Sequence, residues 1–296
     1  MKFLFDITLQ APRFLCINDD QHYEATLAFM DSICQKVERD YIVTINFDSC
    51  LMLTPAAALL LFSTINSIQL SYGFERVKCS ALLRTSSMLH DPLISSAGLW
   101  DALTCKDNSD VEKLIEMNNR FKTSNDPGIM KNVSQILTKV KGLTPEHIFF
   151  LTMAMKEAIT NVVYHAYNPD SLLDNRWWQC AWVNLRNKQA NIIIHDRGIG
   201  IIERYRKSDF TDEELLKEAM LQGFSSSGIK NRGMGSEDMK RPVDELNGEQ
   251  SLTLYTGEYI YDYSLKSIEP KITKRNSSIC GTLIHWQCGY GANEND

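Results

Sequence analysis

The sequence predicts an α/β protein with two domains, and three observations support this prediction. Segments with apolar residues at helical spacing alternate with short β-branched segments, which is typical of sheets covered by helices. The 296 residues, 44% of them hydrophobic, are enough to form two cores. A polar, charged segment interrupts this alternation once. We therefore predict a first domain at residues 1–105, a connecting helix or linker at 106–126, and a second domain at 127–296.

The first domain is predicted to alternate helices and strands. Apolar residues recur at helical spacing over residues 25–37, and the β-branched segment 41–47 (Y-I-V-T-I-N-F) is typical of a buried strand. A helix is expected over residues 55–68, because a proline occupies its first position. Thr54 should cap this helix by accepting hydrogen bonds from its first amides. Residues 77–83 suggest another strand, which completes a small sheet covered by helices.

The second domain is predicted to alternate in the same way. The predicted helices cover residues 129–140, 145–167, 212–220 and 237–246. The predicted strands cover residues 177–185, 190–195, 252–265 and 279–288. Residues 223–236 are rich in serine and glycine, and we predict that they form a flexible loop.

Composition and charge exclude several classes of protein. The net charge of −6 and the pI near 5.6 argue against general nucleic-acid binding, because no basic segment would follow a phosphate backbone. The eight cysteines form no C-x-x-C pair and no zinc-like cluster, so we expect reduced, mostly buried thiols. A charged residue interrupts the N-terminal apolar residues too early for a signal peptide. The longest apolar run is too short to span a bilayer. We expect a soluble, cytoplasmic protein without a membrane segment.

One helical segment places polar groups among apolar residues. Within residues 151–167 (L-T-M-A-M-K-E-A-I-T-N-V-V-Y-H-A-Y), Glu157, Asn161 and His165 follow one another at intervals of four. On an α-helix this spacing aligns a carboxylate, an amide and an imidazole along one face. Because their desolvation is unfavourable without a polar partner, the pattern predicts a binding site along this face.

Two glycine-rich segments complete the predicted site. The first, I-I-I-H-D-R-G-I-G-I at residues 192–201, is a buried-type strand that ends in Asp196 and two glycines. The second, N-R-G-M-G-S at residues 231–236, is a glycine-rich turn. With the polar helix they predict a nucleotide pocket. The helix would serve a metal ion and a catalytic base, the strand end the nucleobase ring, and the turn the phosphates.

These motifs resemble those of the GHKL (Bergerat-fold) ATPases, and among them most closely the anti-sigma-factor kinases. The segment E-A-I-T-N-V-V-Y-H-A-Y is similar to their N box, D-R-G-I-G to their first glycine box, and G-F-S-S followed by N-R-G-M-G to their second. C-G-T-L-I-H-W is similar to their late strand with a Gly-Thr pair. The motifs occur in the family's order across residues 107–289. The resemblance implies a two-layer α/β sandwich with a mixed sheet for the second domain.

The resemblance implies roles at both ends of a bound ATP. Asn161 would be the side-chain ligand of a magnesium ion that bridges the phosphates, and one amide oxygen is enough because magnesium keeps several waters. Glu157 would accept a proton from the attacking nucleophile. Asp196 would accept a hydrogen bond from the exocyclic amino group of adenine, which gives a preference for adenine over guanine.

Further residues are expected to shape the same site. Gly198 and Gly200 would let the backbone approach the adenine ring, and Thr282 would complete the adenine site. Two roles stay open for His165, which are contact with phosphate and a role at the helix surface. The remaining expected phosphate contacts are the helix-start residues Gly233, Met234 and Gly235 and the side chain of Lys230 or Arg232.

The first domain resembles a STAS domain of the anti-anti-sigma proteins. The resemblance lies in the strand-turn-helix segment Y-I-V-T-I-N-F-D-S-C-L-M-L-T-P-A-A-A-L-L-L. Those proteins offer a phosphorylatable serine within D-S-S-G at the helix start, whereas the matching positions here are Thr54, Pro55, Ala56 and Ala57. Ala56 has no hydroxyl group. We therefore predict that this domain is not phosphorylated by the attached ATPase, and that it is a homodimer contact or a docking site.

Two functions stay open at this point. The first is a Mg-ATP-binding protein that hydrolyses ATP slowly or phosphorylates a serine or threonine of a partner protein, such as an unidentified regulator or a sigma-like factor. The alternative is a non-catalytic module in which ATP orders residues 225–232 and changes the affinity for a partner. Glu237 places a carboxylate near the start of the helix that is expected to bind the phosphates, so the rate of ATP turnover stays open. A sensor histidine kinase is disfavoured, because no upstream helix offers a suitably spaced phosphoacceptor histidine.

Overall fold

The computed structural model of the protein describes residues 4–82, 86–116, 119–129, 137–138, 142–184, 187–206, 209–221, 235–267 and 269–290. Helices and strands alternate along the chain, so the fold is mixed α/β. The chain divides into two units. The first is Met1–Thr123 with Trp178–Cys180, and the second is Ser124–Trp177 with Ala181–Asp296.

The first unit contains a three-stranded parallel sheet of order β1-β3-β5 and a separate two-stranded sheet of β2 and β4. The strands are β1 (Phe5–Gln10), β2 (Phe14–Leu15), β3 (Tyr41–Asn46), β4 (Met52–Leu53) and β5 (Val77–Cys79). The helices are α1 (Asp20–Glu38), α2 (Pro55–Tyr72), α3 (Pro92–Ser95), α4 (Leu99–Leu103) and α5 (Asn108–Glu116). The sequence did not predict β1, because this edge strand is largely exposed and carries no buried apolar pattern.

Helix α2 is the centre of the first unit, since its residues 56–69 are all buried. The prediction that the Thr54 side chain caps α2 was wrong. Thr54 occupies the N-cap position, but its Oγ1 is buried and accepts no hydrogen bond from the helix. Its N–H donates to Leu15 O at 3.0 Å, so pairing with the preceding strands sets the orientation of this residue. Its carbonyl, and not its side chain, is bonded to the helix, since it accepts from the N–H of Ala58 at 2.8 Å.

The larger sheet has the order β6-β7-β8-β10-β9, with β10 antiparallel to both of its neighbours. Its strands are β6 (Phe121–Ser124), β7 (Trp177–Asn184), β8 (Gln189–Asp196), β9 (Gln250–Ser264) and β10 (Lys271–Gly289). The helices of the second unit are α6 (Pro145–Asn161), a π-helix (Val162–Ala166), α7 (Gly200–Arg204), α8 (Asp212–Ala219) and α9 (Gly235–Asp244). Residues of α6 and α9 pack with Trp286 and neighbouring strand residues in the core of this unit.

Strand β10 differs from its prediction. The sequence places its start at Ile279, but the strand begins at Lys271 and pairs its first residues with Tyr259 to Asp262 of β9. The segment K-I-T-K-R-N-S-S is mainly polar, so it gave no sign of a buried face. Irregular pairing on either side of Ile279 separates this outer part from the inner part of the strand.

Two predicted segments fall mainly on residues outside the described parts of the chain. Of the helix predicted over residues 129–140, the described positions are Ile129, which ends a short 3-10 helix (Pro127–Ile129), and 137–138, which are helical. The loop predicted over residues 223–236 is described only from Gly235 onward, where α9 begins. In the described parts of the chain, no helix has the length and apolar character needed to cross a bilayer.

From two buried histidines, we predict how the stability of the second unit depends on pH. Burial lowers the pKa of His195 to about 3 and that of His285 to about 4, from an ordinary value of 6.5. Both are therefore neutral in the folded chain. As the pH falls below 6.5, the unfolded chain binds protons that the folded chain does not, so stability is lost. The loss should approach about 1 kcal/mol per pH unit for each histidine.

His285→Gln tests this prediction. His285 Nε2 lies 2.9 Å from Asn191 Oδ1, and the amide of glutamine can donate to the same oxygen. Urea unfolding between about pH 4.5 and 6.5 should give a shallower loss of stability for the variant than for the wild type. Burial raises the pKa of Asp196 to about 7, which acts in the opposite direction but equally in both proteins. Equal pH slopes for the two proteins would contradict the prediction.

Candidate functional site

Helix α6 positions Glu157 and Asn161 one turn apart. Thr144 caps the start of the helix by accepting from the N–H of His147, and Pro145 occupies the first turn. The buried apolar residues recur at helical spacing, which fixes the rotation of the helix on the sheet; they are Leu151, Ala154, Met155, Ala158 and Ile159. Glu157 and Asn161 therefore lie at the margin of the core, where both are partly buried and their side chains are hydrogen-bonded.

The electrostatic environment of Glu157 favours its protonated form. Burial is the main cause of its raised pKa, and the negative charge of Asp238 in α9 acts in the same direction. The hydrogen bond from Asn161 and the charge of Lys156 oppose the shift without cancelling it. A raised pKa makes the Glu157 carboxylate a stronger base, which suits a group that accepts a proton.

The start of α9 lies directly against Glu157. A Cβ added to Gly235 would be 2.1 Å from Glu157 Oε1 and 2.7 Å from its carboxyl carbon. Real Cβ atoms do not approach other atoms so closely, so the absence of a side chain at Gly235 permits the contact. The N-terminus of a ten-residue helix and the carboxyl of Glu157 thus meet at one point. Helix N-termini favour negative charge at such positions.

Beyond Asn161 the helix changes to a π-helix (Val162–Ala166). Short π-helical turns inside longer helices are frequent at functional sites. His165 lies in this turn and is exposed. The turn also directs the carbonyl of Ala166 toward the loop that follows β8, where it accepts from the N–H of Ile199 at 2.8 Å. One of the carbonyl groups left unpaired at a helix end is satisfied in this way.

Asp196 ends β8 opposite Thr282 of β10. Its carboxylate is buried and accepts hydrogen bonds from the N–H of Gly198, at 2.8 Å, and from the N–H of Thr282. Burial raises its pKa to about 7 although both N–H groups act to lower it. The preceding residue, His195, points to the opposite face of the strand, where its Nε2 lies 3.0 Å from Cys280 O.

Glycines allow the loop after Asp196 to pack closely. A Cβ at Gly198 would be 2.0 Å from Ala166 O, and one at Gly281 would be 2.1 Å from Asp196 O. Gly200 has φ of +78°, and a Cβ there would be 2.9 Å from Thr256 Oγ1. The Thr256 hydroxyl in turn accepts from the N–H of Ile201 at 3.0 Å.

Three residues of this region were not among the predicted site residues. Gly281 is part of the C-G-T segment, so the close approach to Asp196 had a signal in the sequence. Thr256 had none, because a threonine in a strand is ordinary. Tyr167 follows directly after the polar helix, but its role depends on contacts with distant residues. Its hydroxyl donates to Arg176 O at 2.5 Å and accepts from the N–H of Arg197 at 2.9 Å.

The structure groups the predicted residues into two clusters. Glu157 and Asn161 meet Gly235 at one, and Asp196 meets Gly198 and Thr282 at the other, with Gly200 in the next turn. The contact between Ala166 and Gly198 joins the two clusters, and His165 precedes it. The remaining predicted residues, Lys230, Arg232, Gly233 and Met234, lie outside the described residues.

The donor atoms at the first cluster suit a hard cation. Asn161 offers an amide oxygen, and oxygen is the ligand atom that Mg²⁺ prefers. Within the described residues there is no group of three or more His, Cys, Asp or Glu side chains arranged to hold a metal. Asn161 as a single side-chain ligand fits a cation that keeps several waters.

A separate cavity of about 660 Å³ lies in the first unit. It is lined by residues that follow β5 and by α3 and α4, among them Leu82, Ile94 and Trp100. Asp101 is the charged side chain among the described lining residues, and no described basic group lies there. The cavity contains none of the predicted site residues and does not suit a phosphate.

Comparison with known proteins adds no relative to this description. No family model, no curated protein and no solved structure matches the chain.

Proposed function

We propose that the second unit binds Mg-ATP and that the protein is a slow ATPase or a serine/threonine protein kinase that acts on a partner protein. One observation carries the proposal. A buried carboxylate at a strand end, a carboxyl–amide pair on a helix, and the N-terminus of a second helix are joined through contacts that only glycine permits. This is the set of groups that an adenine ring and a metal-bound phosphate chain require.

The adenine end is assigned to Asp196. Its carboxylate can accept the exocyclic amino group of adenine, whereas guanine presents a carbonyl at the same position of the ring. The N–H groups of Gly198 and Thr282 hold the carboxylate in a fixed orientation. The close packing at Gly198 and Gly281 brings the backbone near the position expected for the ring.

The phosphate end is assigned to α6 and α9. Asn161 would hold the magnesium ion, which neutralises charge on the phosphates when bound. The N-terminus of α9 would meet the phosphates with its amide groups. Glu157, held between Asn161 and Gly235, would accept the proton of the attacking water or hydroxyl group.

The resemblance to GHKL ATPases of the anti-sigma-factor kinase type supports the same assignment. Glu157, Asn161 and Asp196 are the residues that the family's motifs would place at these roles. The resemblance of the first unit to STAS domains supports a regulatory setting. Ala56 and Ala57 are fully buried at the start of α2, and the Thr54 hydroxyl is buried as well. No hydroxyl at this helix start is therefore offered for phosphorylation.

A non-catalytic, nucleotide-gated interaction module is the second candidate, and α9 favours it. Its first turn carries Glu237 and Asp238, and the charge of Asp238 acts on Glu157. Negative charge at this place repels the phosphates of a nucleotide, which opposes the close approach that phosphoryl transfer needs. Glu157→Gln separates the two functions. An enzyme should lose phosphate release or transfer while ATP binding, measured by calorimetry, is retained. If the protein is a module, the wild type should neither release nor transfer phosphate, and Glu157→Gln should bind ATP as the wild type does.

Gly235→Ala is predicted to impair turnover more than binding. The added methyl group would take the place of the Glu157 carboxyl and force that side chain to rotate away. Phosphate release should fall at least about tenfold, since a misplaced general base loses most of its contribution. Gly128→Ala is the control, because Gly128 is exposed, its φ is not positive, and the nearest atoms to an added Cβ belong to the exposed side chain of Asp126. Unchanged turnover in Gly235→Ala would contradict the role of Glu157 as the base.

A further inference from the structure

The hydroxyl group of Tyr167 joins three segments of the second unit. Tyr167 follows the π-helix, Arg176 precedes β7, and Arg197 follows Asp196 at the end of β8. The hydroxyl donates its single proton to Arg176 O at 2.5 Å and accepts from the N–H of Arg197 at 2.9 Å. Both backbone groups thus depend on one side-chain atom.

The environment of Tyr167 keeps this hydroxyl in its protonated form. Burial raises the pKa of Tyr167, and the negative charge of Asp196 raises it further. The hydroxyl therefore acts as donor and acceptor together at neutral pH. Removing it would leave the carbonyl of Arg176 and the N–H of Arg197 without this partner, and unmade bonds of partly buried groups are costly.

A second bond lies next to the first. Ala166 O accepts from the N–H of Ile199, and Gly198 packs against the same carbonyl. Residues 166 and 167 thus hold residues 197 and 199 by two hydrogen bonds on either side of Gly198. Because the N–H of Gly198 orients the Asp196 carboxylate at 2.8 Å, the position of that carboxylate depends on this attachment.

We infer that Tyr167 is a positioning residue for nucleotide recognition. It fixes the loop that carries Asp196 to the end of the helix that carries Glu157 and Asn161. The distance between the adenine contact and the metal and phosphate contacts is then constant, so a nucleotide of the correct base places its phosphates at Glu157. This inference rests on the proposed function, since it concerns the same site.

Tyr167→Phe tests the inference by removing one oxygen atom. Mg-ATP should bind about tenfold more weakly, and the ratio of ATP affinity to GTP affinity should fall by a similar factor, because the base contact loses its fixed position. Tyr263→Phe is the matched control. Its hydroxyl donates to Asp244 Oδ1 at 2.6 Å, outside the nucleotide site, so its loss should leave both affinities unchanged.

The possible outcomes separate the inference from the proposed function. Wild-type affinity and base preference retained in Tyr167→Phe would overturn the inference and leave the proposed function in place. A loss of affinity for ATP and GTP by the same factor would also overturn it, since it would indicate a general structural effect. No ATP binding by the folded wild type would overturn both.

A measurement on the ligand-free wild type keeps the test independent of how the variant folds. The amides of Arg197 and Ile199 should exchange slowly with solvent and at similar rates, because both are held by the same segment. Rapid exchange of the Arg197 amide in the folded chain would overturn the inference without any reference to nucleotide.

Discussion

Gly198→Ala is expected to weaken ATP binding strongly and to destabilise the second unit. A Cβ at this position would lie 2.0 Å from the carbonyl oxygen of Ala166 and 2.6 Å from its carbonyl carbon. Both are backbone atoms at the end of a helix, so they cannot rotate away as a side chain does. Either the loop after Asp196 or the end of the helix must move, and in both cases the hydrogen bond from Ile199 to Ala166 is lost.

The expected size of this effect follows from the crowding. Forcing a methyl group into a packed site costs about 1–3 kcal/mol of stability. The N–H of Gly198 would move with the loop and release the Asp196 carboxylate, so ATP affinity should fall by at least about a hundredfold. Gly128→Ala, which places a methyl group beside the exposed side chain of Asp126, should bind ATP as the wild type does. Wild-type affinity in Gly198→Ala would contradict the placement of adenine beside this loop.

Asp196→Asn is expected to weaken ATP binding by about ten- to a hundredfold. The carboxylate accepts from two backbone N–H groups, and in the proposed complex it also accepts from the amino group of adenine. An amide has one oxygen and a donor group in place of the second oxygen, so its NH₂ would face another donor. Thermal unfolding of the ligand-free variant serves as the control for folding, and unchanged affinity would place the adenine contact elsewhere.

Asp196→Asn is also expected to change how the affinity for ATP depends on pH. Burial raises the pKa of Asp196 to about 7, and adenine binding favours the charged form. Wild-type affinity should therefore be full above pH 7 and decrease as the pH falls through 7. Asp196→Asn removes this titration, whereas the titration of the ATP phosphates affects both proteins alike. Identical pH profiles for the two proteins would contradict a role for the Asp196 charge.

The sequence was informative where one segment carries its own pattern. Helix α6 has apolar residues at helical spacing over its whole length, so its face and the partly buried margin with Glu157 and Asn161 could be predicted. Asp196 could be placed at a strand end, because a run of isoleucines precedes it and glycines follow. Such patterns depend on local propensity and on burial of one face.

The sequence was uninformative where position depends on distant residues. The bond from the Arg197 N–H to Tyr167 joins residues thirty positions apart, and no local pattern indicates it. The start of β10 is polar and becomes a strand through pairing with β9. Thr54 is of a residue type that often caps helices, but its N–H is bonded to Leu15 O and its side chain does not cap α2. In each case tertiary contacts override local preference.

Calorimetric titration of the folded 296-residue chain with ATP in the presence of magnesium tests the proposed function most directly. We expect saturable binding of ATP, weaker binding when magnesium is removed by chelation, and weaker binding of GTP than of ATP. These results follow from Asn161 at the metal, Asp196 at adenine and the start of α9 at the phosphates. A folded protein that shows no binding of ATP at millimolar concentration, or that binds GTP equally well, would contradict the proposal.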